Sequence, residues 1–215
     1  MNMIIPILPM TSDEENEMVL GRIYFDVLTP RMKEGAVRTT PVRMKKGEQT
    51  EEKGTALIID VKGLQRGNLN DVLLKRLKIR GMRTWFLTNI ESVDDVFDAF
   101  NTDAEAVLVP THTVRSQDEF EDILSVSDST IPAVFVRKRT AVYVGESMEY
   151  SKAVSRVFDT GYVTVAVFDL DDSLTEENWM TLKDKGDIIP CSFTGRVKGT
   201  RFEELGFGRC FTVPE

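Results

Sequence analysis

The chain reads as an α/β protein, a (β/α)8 TIM-like barrel whose first helix is shortened or missing, with a doubly wound open sheet as the alternative. Three observations predict this. From Gly54 onward, apolar runs alternate at short spacing with segments of helical periodicity. The apolar runs are hydrophobic at nearly every position, which marks strands covered on both faces and therefore parallel. Eight such runs are found once residues 22–28 (RIYFDVL) are counted as the first, and eight strand and helix units close most naturally into a barrel.

In chain order, residues 1–20 form an N-terminal extension and residues 21–215 one barrel domain, a length that one core can fill. The run 22–28 is followed by residues 31–53, where Pro41, a polar stretch and an absence of helical period leave hairpin and loop in place of a helix. The stretch 55–60 (TALIID) is a buried strand ending in charge. The first helix is then 70–81 (NDVLLKRLKIRG), with Val72, Leu73 and Leu77 on one face and Gly81 as its stop. Strand 82–88 leads to a helix opened by Ser92 and Asp95 at capping distance, with Val93, Val96, Phe97 and Phe100 as its apolar face. Strand 105–111 and a helix with the capping pair Ser116 and Glu119 repeat the unit, and Phe120, Ile123 and Leu124 point inward. Strand 131–137, helix 147–161, strand 162–170, helix 174–186, strand 188–193, a short helical piece at 199–206 and strand 209–213 complete the count.

Composition excludes several classes. A net charge of -8 repels a phosphate backbone, and no basic stripe with aromatics offsets it, so nucleic acid is not an expected partner. Two cysteines outside any Cys-x-x-Cys pair and a single histidine offer no zinc constellation, and no metal or cofactor is expected. The start has neither the basic region of a signal peptide nor the length to span a bilayer, so the expectation is a cytoplasmic protein without a membrane partner. A second subunit, or residues 3–10 (MIIPILPM), would cover strand surface left bare by the missing helix, which admits a homo-oligomer.

Three segments together resemble the histidine-biosynthesis barrel family, the HisA/HisF group. Residues 23–38 (IYFDVLTPRMKEGAVR) are similar to that family's first strand and hairpin. Residues 57–70 (LIIDVKGLQRGNLN) resemble its second strand, and residues 86–100 with 104–114 its third and fourth strand ends. The resemblance implies a barrel that isomerises or cyclises a phosphorylated aminoimidazole ribotide precursor, gripping two phosphates and using two acid/base groups. Asp26 matches the first catalytic aspartate and Asp60 the second-strand aspartate. The fifth strand, however, carries Val136 where the second acid belongs, followed by Arg137, Lys138 and Arg139. Thr88 and Asn89, Pro110 beside Thr111, and residues 190–199 replace the glycines that let backbone N–H groups approach a phosphate.

The expected function is therefore an isomerase or lyase-type acid/base enzyme acting on a small phosphorylated metabolite, different from the histidine-pathway isomerase. The alternative is a non-catalytic ligand-binding or scaffold member of the same barrel family. Strand ends at the C-terminal face supply the candidates. Asp26 is the base and Asp169, with Asp171 as the alternative, the acid. Asp60, Thr111, His112, Arg137, Lys138, Asp171 and Thr194 are the substrate-binding set, Arg137 and Lys138 as phosphate contacts. Each has a structural alternative: Asp60 as acceptor for the loop that follows it, His112 as a loop residue, and Arg137 and Lys138 as part of an extended ribbon through residues 136–145. The cluster Asp169, Asp171, Asp172, Glu176 and Glu177 lacks the spacing of a calcium loop and reads as a helix start.

Overall fold

The computed structural model describes residues 3–12, 18–21, 41–43, 54–70, 83–193, 197 and 199–212. Strand β1 (Met3–Ser12) pairs in parallel with β4 (Thr55–Asp60) and with β12 (Arg209–Thr212), and in antiparallel with β2 (Met18–Gly21), which continues to β3 (Pro41–Arg43). Beyond β4 the parallel ladder runs through β5 (Arg83–Leu87), β6 (Ala106–Pro110), β7 (Thr130–Arg137), β10 (Thr164–Asp169) and β11 (Asp187–Ser192). Eight parallel strands thus form a curled sheet. Strand β12 also lies alongside β11, although among the described residues no backbone ladder joins the two.

Alternation along these strands builds two cores. Ile5, Ile7, Leu57, Ile59, Trp85, Leu87, Leu108, Ala133, Phe135, Phe168, Ile189, Cys191 and Phe211 fill the concave side. Their rings interlock: Phe168 stacks on Phe211 at 5.4 Å and 7° and tilts against Phe135 and Phe193, while Trp85 meets Phe211 edge-on. Each such ring removed from water stabilises by about 1.5–3 kcal/mol. The other parity, Ile58, Phe86, Val107, Val109, Val134, Val136, Val165, Val167 and Ile188, faces the helices. Helices α2 (Val93–Phe100), α3 (Gln117–Val126), α4 (Tyr150–Thr160), α5 (Glu176–Lys183) and α6 (Gly199–Glu204) all pack on that convex side, whereas a doubly wound sheet would divide them between two faces.

The local caps follow the sequence. Ser92 and Asp95 form a reciprocal capping box at the start of α2, and the Ser116 hydroxyl accepts the Glu119 N–H at the start of α3. Glu119, expected to close a box on its own helix, instead accepts the Val93 N–H at 2.7 Å and ties α3 to α2. Phe97 corrects the predicted apolar face: it is 53% exposed, and Ala99 is buried in its stead.

Three further corrections concern element placement. The strand between β4 and β12 is Met3–Ser12, so the sheet begins upstream of residue 21, inside the stretch expected to be an extension. The predicted strand 22–28 and all but the first residue of the predicted helix 70–81 lie outside the described residues. A short helix not anticipated, α1 (Val61–Arg66), follows β4 directly. Finally, residues 147–149, expected to open a helix, are strand: β7, β8 (Thr140–Tyr143) and β9 (Glu146–Glu149) form an antiparallel ribbon, and α4 starts only at Tyr150.

Candidate functional site

The C-terminal ends of the parallel strands gather the polar residues, but strand parity sorts them into two groups. Asp60 and Asp169 close β4 and β10 with the parity that faces outward, because Leu57, Ile59 and Ala166, Phe168 are the inward residues on those strands. Both are buried, at 0% and 1% exposure. Each spends its oxygens on the loop that follows it.

Asp60 caps α1, where its Oδ1 accepts the Gly63 N–H at 2.9 Å. Oδ2 accepts the Thr88 hydroxyl at 2.9 Å and the Asn70 N–H at 3.2 Å, and the Asn70 amide reaches Oδ1 at 3.4 Å. The carboxylate therefore stitches β4, its loop and the end of β5 together. Gly63 is required by this packing, since a Cβ there would lie 2.1 Å from the Asp60 Oδ2. Burial raises the pKa of Asp60, against the pull of these donors.

Asp169 repeats the device. Its Oδ1 accepts from the Ser173 N–H at 3.1 Å and the Ser173 hydroxyl at 3.2 Å, and Oδ2 accepts the Leu174 N–H at 2.8 Å. Burial pushes its pKa up to about 6, the three donors oppose the rise, and the nearby Asp171 charge adds to it. Asp171 is engaged with the turn that follows β7. Both of its oxygens accept the Lys138 N–H, at 3.0 and 3.2 Å.

Thr111 is a fastener. Its N–H donates to Ala133, its hydroxyl donates to the Val142 carbonyl at 2.8 Å, and its carbonyl accepts the Val144 N–H at 2.8 Å, so the tip of the β8–β9 ribbon is pinned to the end of β6. Ser192 is likewise engaged, its hydroxyl donating to Asp172 and accepting the Val197 N–H.

The inward parity presents a different set. Asn89 follows Trp85 and Leu87, His112 follows Ala106 and Leu108, and Arg137 follows Ile131, Ala133 and Phe135. Half-buried His112 meets the Phe135 ring edge-on at 5.2 Å, and withdrawal from water pushes its pKa down to about 4, so it is neutral at pH 7. Phe135, Phe193 and Leu170 belong to the inward core, and Phe135 is the ring against which His112 packs. Lys138 is exposed at the first turn of the ribbon.

The structure therefore brings His112 and Arg137 to one face and sends Asp60, Thr111, Asp169 and Asp171 to the loops. Asp26 and Thr194 lie outside the described residues. The sequence marks Ser173, four residues beyond Asp169, only as part of a helix start and gives no sign that it donates to Asp169. Among the described residues, no group of three or more His, Cys, Asp or Glu side chains is placed to hold a metal ion, and no helix is long and apolar enough to cross a membrane. Compared with known proteins, the chain matches no family model and no curated protein.

Proposed function

We propose that the chain is a closed, diverged (β/α)8 barrel of the HisA/HisF kind that binds a small phosphorylated metabolite at its C-terminal mouth without an Asp26 and Asp169 acid/base pair. One observation carries this reading. Among the described residues, the inward parity carries the imidazole of His112 and the guanidinium of Arg137, with the Asn89 amide, which donates to Glu91, beside them, while the strand-end carboxylates Asp60 and Asp169 stand on the opposite parity. A rim of Asn89, His112 and Arg137, with the Phe135 ring packed against His112, suits an anion attached to a compact, partly apolar body.

A second reading is an isomerase-type enzyme with Asp26 as base and Asp169 as acid. It draws on the pKa of about 6 at Asp169, which is matched to proton transfer near neutral pH. Its cost is geometric: Asp169 would have to release the Ser173 and Leu174 donors and turn through the strand to reach the mouth.

Titration with inorganic phosphate separates the two, followed by mass spectrometry of whatever metabolite copurifies. The binding reading expects Arg137→Met to weaken phosphate by about tenfold, the worth of one well-placed charge, and Asp169→Asn to leave phosphate affinity unchanged. Turnover of the copurified metabolite that disappears in Asp169→Asn, with the fold intact, would replace the binding reading by the enzyme one.

A further inference from the structure

The turn after Arg137 is built against local preference. Residues Arg137 and Thr140 pair across a two-residue loop, and both loop residues have positive φ, 49° at Lys138 and 61° at Arg139. That geometry is a type I′ turn, for which Asn-Gly is the favoured sequence because side chains with a Cβ are strained in it. A lysine and an arginine there hold a sparsely populated backbone conformation that opposes folding. The surroundings hold the strained backbone in place: Asp171 accepts the Lys138 N–H with both oxygens, and the Ser173 hydroxyl accepts the Arg139 N–H at 3.1 Å. Ser173 is in turn held by Asp169. On its other side the Arg139 guanidinium lies over the Tyr150 ring at 5.6 Å, and the Tyr150 N–H donates to the Arg139 carbonyl.

A turn that is both strained and rigidly held has its value in its side chains. Arg137, Lys138 and Arg139 are three consecutive cations at one strand end of an acidic chain, and Asp171 is the carboxylate bonded to the turn backbone. From this we infer that the Lys138–Arg139 turn is an anion clasp on the rim, which contacts a compact oxyanion such as a phosphate group from outside while Arg137 contacts it from the mouth. The inference rests on the mouth being the binding site and adds to it the residues that select for charge. The clasp is preorganised: the loop order is established in the free protein, so an arriving anion need fix only the lysine chain and not the backbone.

The test replaces Lys138 and Arg139 together by Asn and Gly, the pair the turn prefers, which removes two charges while relieving the backbone. The melting temperature of the variant should equal or exceed that of the wild type, which guards against misfolding. Inorganic phosphate is then titrated at about 0.15 M ionic strength, where long-range charge effects are screened, into wild type, the double variant and Arg137→Met, with the backbone amide shifts of residues 138 and 139 followed in wild type. The clasp predicts that the double variant binds phosphate at least about tenfold more weakly and that both amides shift saturably in wild type. If Arg137→Met weakens phosphate and the double variant does not, the clasp is wrong and the mouth reading stands. Unchanged affinity in both variants overturns the two together.

Discussion

Asp60 and Asp169 are the same solution used twice: a buried carboxylate at the end of a strand that accepts hydrogen bonds from the N–H groups of the loop that follows it. Asp60→Asn leaves one former acceptor position as a donor facing the Gly63 or Thr88 hydrogen, and the resulting buried mismatch should cost about 1–3 kcal/mol. Urea unfolding of the two proteins measures it, and a loss within error would remove Asp60 as a structural centre. The pH dependence at residue scale has two opposing parts. Asp169 holds its proton up to about 6 in the folded chain but ionises near 3.8 unfolded, so between those values the folded state binds more protons and stability falls as pH rises. Asp60 acts in the same direction. His112 does the reverse: it is protonated below 6.5 when unfolded but only below about 4 when folded, so stability falls as pH drops through that window. Between pH 4 and 6 the His112 contribution therefore offsets part of the decline from Asp169 and Asp60. His112→Gln should give a melting temperature that declines with rising pH, Asp169→Asn one that climbs, and thermal melts across this range would expose a wrong assignment by parallel slopes.

At the scale of elements, what was legible in the sequence was what is decided locally. The Ser92 and Ser116 caps are contacts within four residues, and both are present. Strand orientation was not legible, because a strand apolar on both faces carries no alternation to read; Val165 to Phe168 gives no hint that Asp169 turns toward the helices. The first strand was read as part of an extension, yet Pro6 stands in register with Thr212 and Pro9 with Ile59. The ribbon was legible as an alternative only, since its turns are formed by residues that do not favour them. Its second turn places Val144 at φ 45°, a strained position for a β-branched side chain. Val144→Gly should stabilise the protein by up to about 1 kcal/mol, provided that the Val144 N–H keeps its bond to the Thr111 carbonyl. Chemical denaturation gives the sign directly, and a loss would mean that the Val144 side chain contributes more by packing than its backbone strain costs.

At the scale of the whole molecule, the question is which part of the chain completes the sheet. The concave core is assembled from strands that are distant in sequence, and β1 joins the beginning of the chain to both β4 and β12. Ile5 and Ile7 are fully buried there with Leu57, Ile59 and Phe211. Removing β1 would uncover the facing edges of β4 and β12, leaving their backbone groups unpaired and opening the aromatic stack of Phe168 and Phe211 to water. A chain beginning at residue 21, the boundary that the sequence alone proposed, should therefore fail to give a cooperative thermal transition and should associate through its bare edges. Ile5→Ala in the full chain is the graded version: a fully buried methyl cluster lost from the interior should cost about 2–5 kcal/mol. Both belong in one experiment, because they fail differently. If the chain from residue 21 melts cooperatively and Ile5→Ala is neutral, β1 is peripheral to the core; if only the truncation is harmful, the strand matters for its backbone ladder and not for the side chains it buries.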